Sequence, residues 1–89
     1  MKIYRKEDNM IYIRTQDKEY IVPILGGQQN FIFFEKTTDG EYGIYYGLPC
    51  DIQTWLGTYS SKEIAINMID YIYHSINAEN SAITMPEYR

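Results

Sequence analysis

The apolar residues of this chain change period at Ser60. Before it they tend to alternate, as side chains do along a strand. After it they recur at spacings of three and four, as on one face of a helix. The β-branched and aromatic residues that favour strands also concentrate before that point. Strands first and a helix last predict an α+β domain: an antiparallel sheet of about five strands within residues 2–59, and one C-terminal amphipathic helix over about residues 61–77 packed on one face. Eighty-nine residues form one domain, with residues 78–89 as a tail that touches the core at Ile83 and Met85 before Pro86.

The strands read as a meander. Residues 2–6 are a first strand, and Glu7, Asp8 and Asn9 turn the chain. Residues 10–15 follow, with Ile11 and Ile13 on one face and Tyr12 and Arg14 on the other. Gln16, Asp17 and Lys18 turn into residues 19–25. Pro23 there lacks an N–H and so belongs at a free edge or a bulge. Residues 26–30 are a Gly-Gly-Gln-Gln-Asn loop, and residues 31–36 are the strongest strand by composition. Thr38, Asp39 and Gly40 supply the positive φ of a tight hairpin. Residues 41–47 return, residues 48–51 break the pattern, and residues 52–59 form a last strand. Ser60 and Glu63 have the S-x-x-E spacing of a capping box. Ala65, Met68, Ile69, Ile72 and Ile76 make the apolar stripe, and Glu63, Asn67, Asp70 and His74 the polar one.

Charge and cysteine content narrow the function classes. The net charge is −4, and the basic residues near the N-terminus are interleaved with acids. Clustered Lys/Arg for phosphate contacts is missing, so direct nucleic-acid binding is not expected. One Cys and one His exclude a disulfide framework or a Cys/His zinc site within one chain, and a lone Cys suits a reducing cytoplasm. No apolar run nears the roughly 18 residues of a membrane span, and the polar N-terminus predicts no signal peptide.

Catalytic constellations are weak. Asp70 and His74 stand i, i+4 on a helix, where the expected arrangement is a solvated pair. Glu63 and Asp70 lie two turns apart, roughly 10 Å, too far to share one ion. Cys50 beside Asp51 lacks a nearby base. Gly26-Gly27 lacks the rest of a phosphate loop and reads as a turn. The expectation is a protein that is not an enzyme and carries no metal and no cofactor.

The ten tyrosines are the distinctive feature. Tyr12 falls opposite Ile11 and Ile13, and Tyr20 shares the 19–25 strand. Tyr42 and Tyr46 lie on the face of Ile44, and Tyr45 sits between Gly43 and Gly47, which leave its ring flanks open to a stacking partner. Such residues stabilise sheets by cross-strand pairing. They also supply contact area with a polar tip, as at interfaces. Tyr12, Tyr20, Tyr42, Tyr45, Tyr46 and Arg14 are therefore the candidate binding residues, with Gln28, Gln29, Asn30 and Gln53 as hydrogen-bonding edges. An uncovered aromatic face also predicts a homo-oligomer.

The stretch Leu56-Gly57-Thr58-Tyr59-Ser60-Ser61-Lys62-Glu63-Ile64-Ala65 has the form Gly-x-Tyr-x-Ser-x-Glu-x-Ala, and a Met85-Pro86 tail follows. It resembles small proteins carried by phages and prophages of Firmicutes. The resemblance implies a mobile-element accessory protein acting in the bacterial cytoplasm by stoichiometric binding, first as an anti-CRISPR-like inhibitor of a host defence factor. A sponge that sequesters a nucleotide signal by tyrosine stacking is the alternative, and a structural or adaptor protein the third. The partner is accordingly a host protein or a small nucleotide.

Overall fold

The structure, a computed structural model, describes residues 11–24, 31–47, 53–78 and 81–87. These form β1 (Ile11–Arg14), β2 (Ile21–Ile24), β3 (Phe31–Lys36), β4 (Tyr42–Gly47), β5 (Gln53–Tyr59), α1 (Lys62–Asn77) and β6 (Ala82–Thr84). The fold is α+β. The strand expected at residues 2–6 and the loop at residues 26–30 lie outside the described residues.

The strands make two sheets rather than one. β2, β1 and β6 form one three-stranded sheet, and β3, β4 and β5 form the other. Alternation tells which way a side chain faces but not which strand lies alongside, so the pattern could not separate the two. β6 comes from the stretch expected as a tail. It runs parallel to β1, with Ile83 opposite Ile13, whereas β2 is antiparallel, with Val22 opposite Ile13. A parallel neighbour needs a long crossover, and here everything from β2 to α1 serves as one.

In the second sheet the β3–β4 turn closes on Thr37, whose N–H donates to the Glu41 carbonyl at 2.7 Å, with Gly40 at φ 86°. Between β4 and β5 the register slips. Ile44 faces Gly57 and Tyr45 faces Trp55, so Leu56 is the extra residue of a bulge, and its side chain is fully buried.

α1 packs on the second sheet, and its core face is Ala65, Met68, Ile72 and Ser75. Ile76 is 37% exposed and lies off that face, and Ile69 sits at its border. The N-cap is Ser61, one residue beyond the expected Ser60. Its Oγ accepts from the Ile64 N–H at 3.2 Å, which places Glu63 second in the helix rather than at the box position. Either serine of the pair could cap, but β5 continues to Tyr59, and the backbone at Ser61 is still extended. One hydrophobic cluster spans all three layers. Ile13, Val22, Ile24 and Ile83 come from the first sheet, with Met85 just after it, Ile44, Leu56 and Tyr59 from the second, and Ala65, Met68 and Ile72 from α1.

The sheets meet at Gln16, which is buried. Its main-chain N–H donates to the Leu56 carbonyl at 2.8 Å. Its side-chain Oε1 accepts from the Thr58 N–H at 2.8 Å, and Nε2 donates to the carbonyls of Thr58 at 3.0 Å and Glu87 at 3.3 Å. The turn around it is knotted by Thr15, whose hydroxyl donates to Asp17 Oδ1 at 2.6 Å and accepts from the Tyr20 N–H at 3.2 Å. Lys18 takes φ 65° there and pairs with Glu87 at 2.8 Å.

This turn makes a pH prediction. The Thr15 hydroxyl, then the Glu19 N–H, hold the Asp17 carboxyl below its usual value, and Lys18 does the same for Glu87. Depressed folded values contribute stability that is present above the ordinary carboxylate range and lost as pH falls through the folded values. Asp17→Asn should therefore flatten the fall in stability below about pH 4. Urea melts from neutral to acid pH check this, and a variant whose acid limb is as steep as the parent's counts against it.

Candidate functional site

The tyrosines do not share a face. Tyr12 and Arg14 point outward from the first sheet, opposite Pro23 and Ile21. Arg14 Nη2 donates to the Lys18 carbonyl at 3.4 Å. Tyr42 and Tyr46 lie on the helix side of the second sheet and pack against the core. Tyr45 lies on the other side, tilted against Phe33 with ring centroids 5.9 Å apart. Its expected open flanks are closed on one side. A Cβ on Gly43 would stand 2.5 Å from the Tyr45 hydroxyl, so the ring already lies over that glycine. Tyr20 follows the Thr15 turn and is 64% exposed. Gln28, Gln29 and Asn30 lie outside the described residues, as does Cys50.

What the fold does assemble is a cleft of about 570 Å³ between β2 and β5. Tyr20, Ile21 and Pro23 line it from one side, and Tyr46, Thr54 and Trp55 from the other, with Thr15 at the closed end. Gln16 ties the first sheet to β5 at Leu56 and Thr58, and the cleft opens beyond that tie, at Trp55. Trp55 is held by its Nε1–H, which donates to Thr58 Oγ1 at 2.8 Å. Its position is opposite Tyr45, which is opposite Phe33, so an aromatic row crosses the outer face of the second sheet.

Tyr20, Tyr46 and Gln53 are thus the three sequence-predicted residues brought together. Trp55, Ile21, Pro23 and Thr54 were not anticipated as site residues, although of the two readings open to Pro23, a free edge or a bulge, the edge is the one found on the β2 side of the cleft. The lining is mostly aromatic and aliphatic with a few hydroxyls, the make-up of a ligand cleft. Among the described residues it holds no Lys or Arg. Asp17 and Glu19 sit in the turn at its closed end, and Asp17 is bonded to the lining Thr15. The cleft suits an uncharged or basic group better than a phosphate.

The helix pair offers less. Asp70 and His74 are exposed, and the His74 ring stands edge-on to Tyr73 at 5.4 Å. Among the described residues no three His, Cys, Asp or Glu side chains converge to hold a metal ion, and no helix is long and apolar enough to cross a membrane.

Most of the Gly-x-Tyr-x-Ser-x-Glu-x-Ala stretch has architectural work to do. A Cβ on Gly57 would press on the Tyr59 ring at 3.1 Å and on the Gln16 Cβ at 3.2 Å. Tyr59 is fully buried, and its hydroxyl donates to the Pro86 carbonyl at 2.7 Å. Ser61 caps α1, Glu63 places a negative charge in its first turn, and Ala65 is in the core. Comparison of the chain with family models, curated proteins and solved structures returns no match.

Proposed function

We propose that the chain is a non-enzymatic accessory protein of a phage or other mobile element that acts by stoichiometric binding in the bacterial cytoplasm, as an inhibitor of a host defence factor. The observation that carries the proposal is the cleft between β2 and β5, where aromatic and aliphatic groups meet with no described Lys or Arg. That chemistry favours a protein segment over a nucleotide, whose phosphates would need cations or a ring of amides. The homo-oligomer belongs to the same proposal. Phe31, 57% exposed, stands on the outer face of the second sheet beside Phe33 and Tyr45, and that uncovered aromatic face supports it.

The test is expression in a panel of bacterial strains, each carrying one defence system and challenged by a phage that the system restricts. Plaque formation should recover in at least one strain. It should fall back with Ile21→Lys, which sets a cation on a residue 65% exposed at the cleft rim, and stay recovered with His74→Ala and Cys50→Ala. Loss of protection in either of the last two variants would point to catalysis. Protection in no strain would sink the inhibitor reading, and a heat shift with cyclic nucleotides would favour the sponge.

A further inference from the structure

Both strands that flank the cleft turn main-chain hydrogen-bonding groups toward it. Along β1, the Thr15 N–H donates to the Tyr20 carbonyl on the β2 side. On the β6 side, the Tyr12 N–H donates to the Ser81 carbonyl, and the Arg14 carbonyl accepts from the Met85 N–H. Bonded and non-bonded pairs alternate in an antiparallel ladder. Tyr12–Pro23 and Arg14–Ile21 are therefore non-bonded pairs. The N–H and C=O of Ile21 and the C=O of Pro23 consequently face the side of β2 that has no neighbouring strand among the described residues. A residue without an N–H is tolerated at such an edge.

The same logic applies to β5. Gln16 takes the carbonyl of Leu56 and both main-chain groups of Thr58 on the side away from β4. Thr58 faces Gly43, so Ile44–Gly57 is the bonded pair, and beyond the bulge Tyr45–Trp55 is not. The N–H and C=O of Trp55 point to the same free side that Gln16 occupies.

Gln16 thus fills the near end of a slot between two strand edges. Its side-chain amide stands in for a peptide group against Thr58. A strand takes about 4.8 Å between neighbours, about 10 Å through the sheet and about 3.3 Å per residue, so the 570 Å³ cleft has room for about three to four residues. Tyr46 and Trp55 lie on opposite faces of the second sheet, so alternate side chains of an inserted strand would meet one or the other. Charge selects among such strands. Around the turn at the closed end three acids, Asp17, Glu19 and Glu87, outnumber two cations, Lys18, which pairs with Glu87, and Arg14, which donates to the Lys18 carbonyl.

We propose that the cleft takes an extended, apolar segment of a protein partner carrying Lys or Arg, paired through its main chain with Ile21 and Trp55. This strand addition rests on the protein-binding function above and names its mode. A library of displayed short random peptides, panned on the purified full chain, tests it. Enriched sequences should lack internal proline, alternate apolar residues and carry Lys or Arg. With the best of them bound, amide hydrogen exchange at Ile21 and Trp55 should slow by about tenfold or more. N-methylation of alternate peptide amides should abolish binding. No enrichment, enrichment of acidic or proline-interrupted sequences, or unchanged exchange at both amides would overturn the proposal. If plaque protection holds while these amides stay unprotected, strand addition fails and the inhibitor reading survives. If peptides pair at the cleft but protection is absent in every strain, the outcome is the reverse.

Discussion

Gln16→Met is expected to cost about 3 kcal/mol, lowering the melting temperature by roughly 12–24 °C in a domain of this size. The substitution keeps much of the side chain's bulk and removes its amide. The Thr58 N–H and carbonyl then lose their partner at the junction of the sheets, and the Glu87 carbonyl loses a donor. A buried polar group left unsatisfied costs about 1–3 kcal/mol, which is why the loss exceeds that of an ordinary surface change. Gln16→Glu separates hydrogen bonding from shape. It keeps an acceptor for Thr58 but sets a carboxylate against two carbonyl oxygens. It should be at least as harmful at neutral pH and recover partly in acid, where the buried carboxyl takes up a proton. Urea denaturation followed by circular dichroism measures all three proteins. A Met variant within about 0.5 kcal/mol of the parent would mean that the amide does not hold the sheets together.

Ending the chain at Asn80 should abolish cooperative folding. The truncation removes β6 and with it Ile83 and Met85, which are 3% and 0% exposed. It also removes the Pro86 carbonyl that accepts from Tyr59 and the Glu87 carbonyl that accepts from Gln16. Losing a buried Ile or Met side chain costs about 2–5 kcal/mol each, so about 4–10 for the pair. The whole domain is expected to hold only about 4–13 kcal/mol. Met85→Ala is the milder test and should cost about 2–5 kcal/mol. A truncated chain that still melts in one sharp transition, with the near-ultraviolet signal of packed tyrosines, would return these residues to the status of a tail.

Much of this architecture is legible in the order of residues. β3, β4, β5 and α1 fall within a residue of where alternation, Asp39-Gly40 and the serine pair put them. The Ile83–Met85 spacing of two was also visible, but a strand of three residues is too short for alternation to distinguish it from a tail. The division into two sheets was not visible, because alternation does not say which strands pair, and neither was their junction, which depends on Gln16. In the sequence Gln16 reads as one polar residue of a turn, and only tertiary contact turns its amide into a bridge. The site was half legible for the same reason. Alternation placed Tyr12 outward and Tyr42 and Tyr46 with Ile44, but it could not show that the Ile44 face is the one α1 covers. The open flanks inferred for Tyr45 failed because a glycine beside an aromatic residue can be covered by that residue's own ring. Pro23 was the most informative signal for the cleft, since a missing N–H restricts a strand residue to a free edge or a bulge.

The central claim, that this chain works by holding a protein segment, is tested most directly by native mass spectrometry on the tagged protein recovered from cells in which it restores plaque formation. The predicted result is a complex whose mass equals this chain plus one bacterial protein in a whole-number ratio, and which is lost with Ile21→Lys. The contradicting result is a chain recovered without a protein partner and carrying only a small molecule of nucleotide mass.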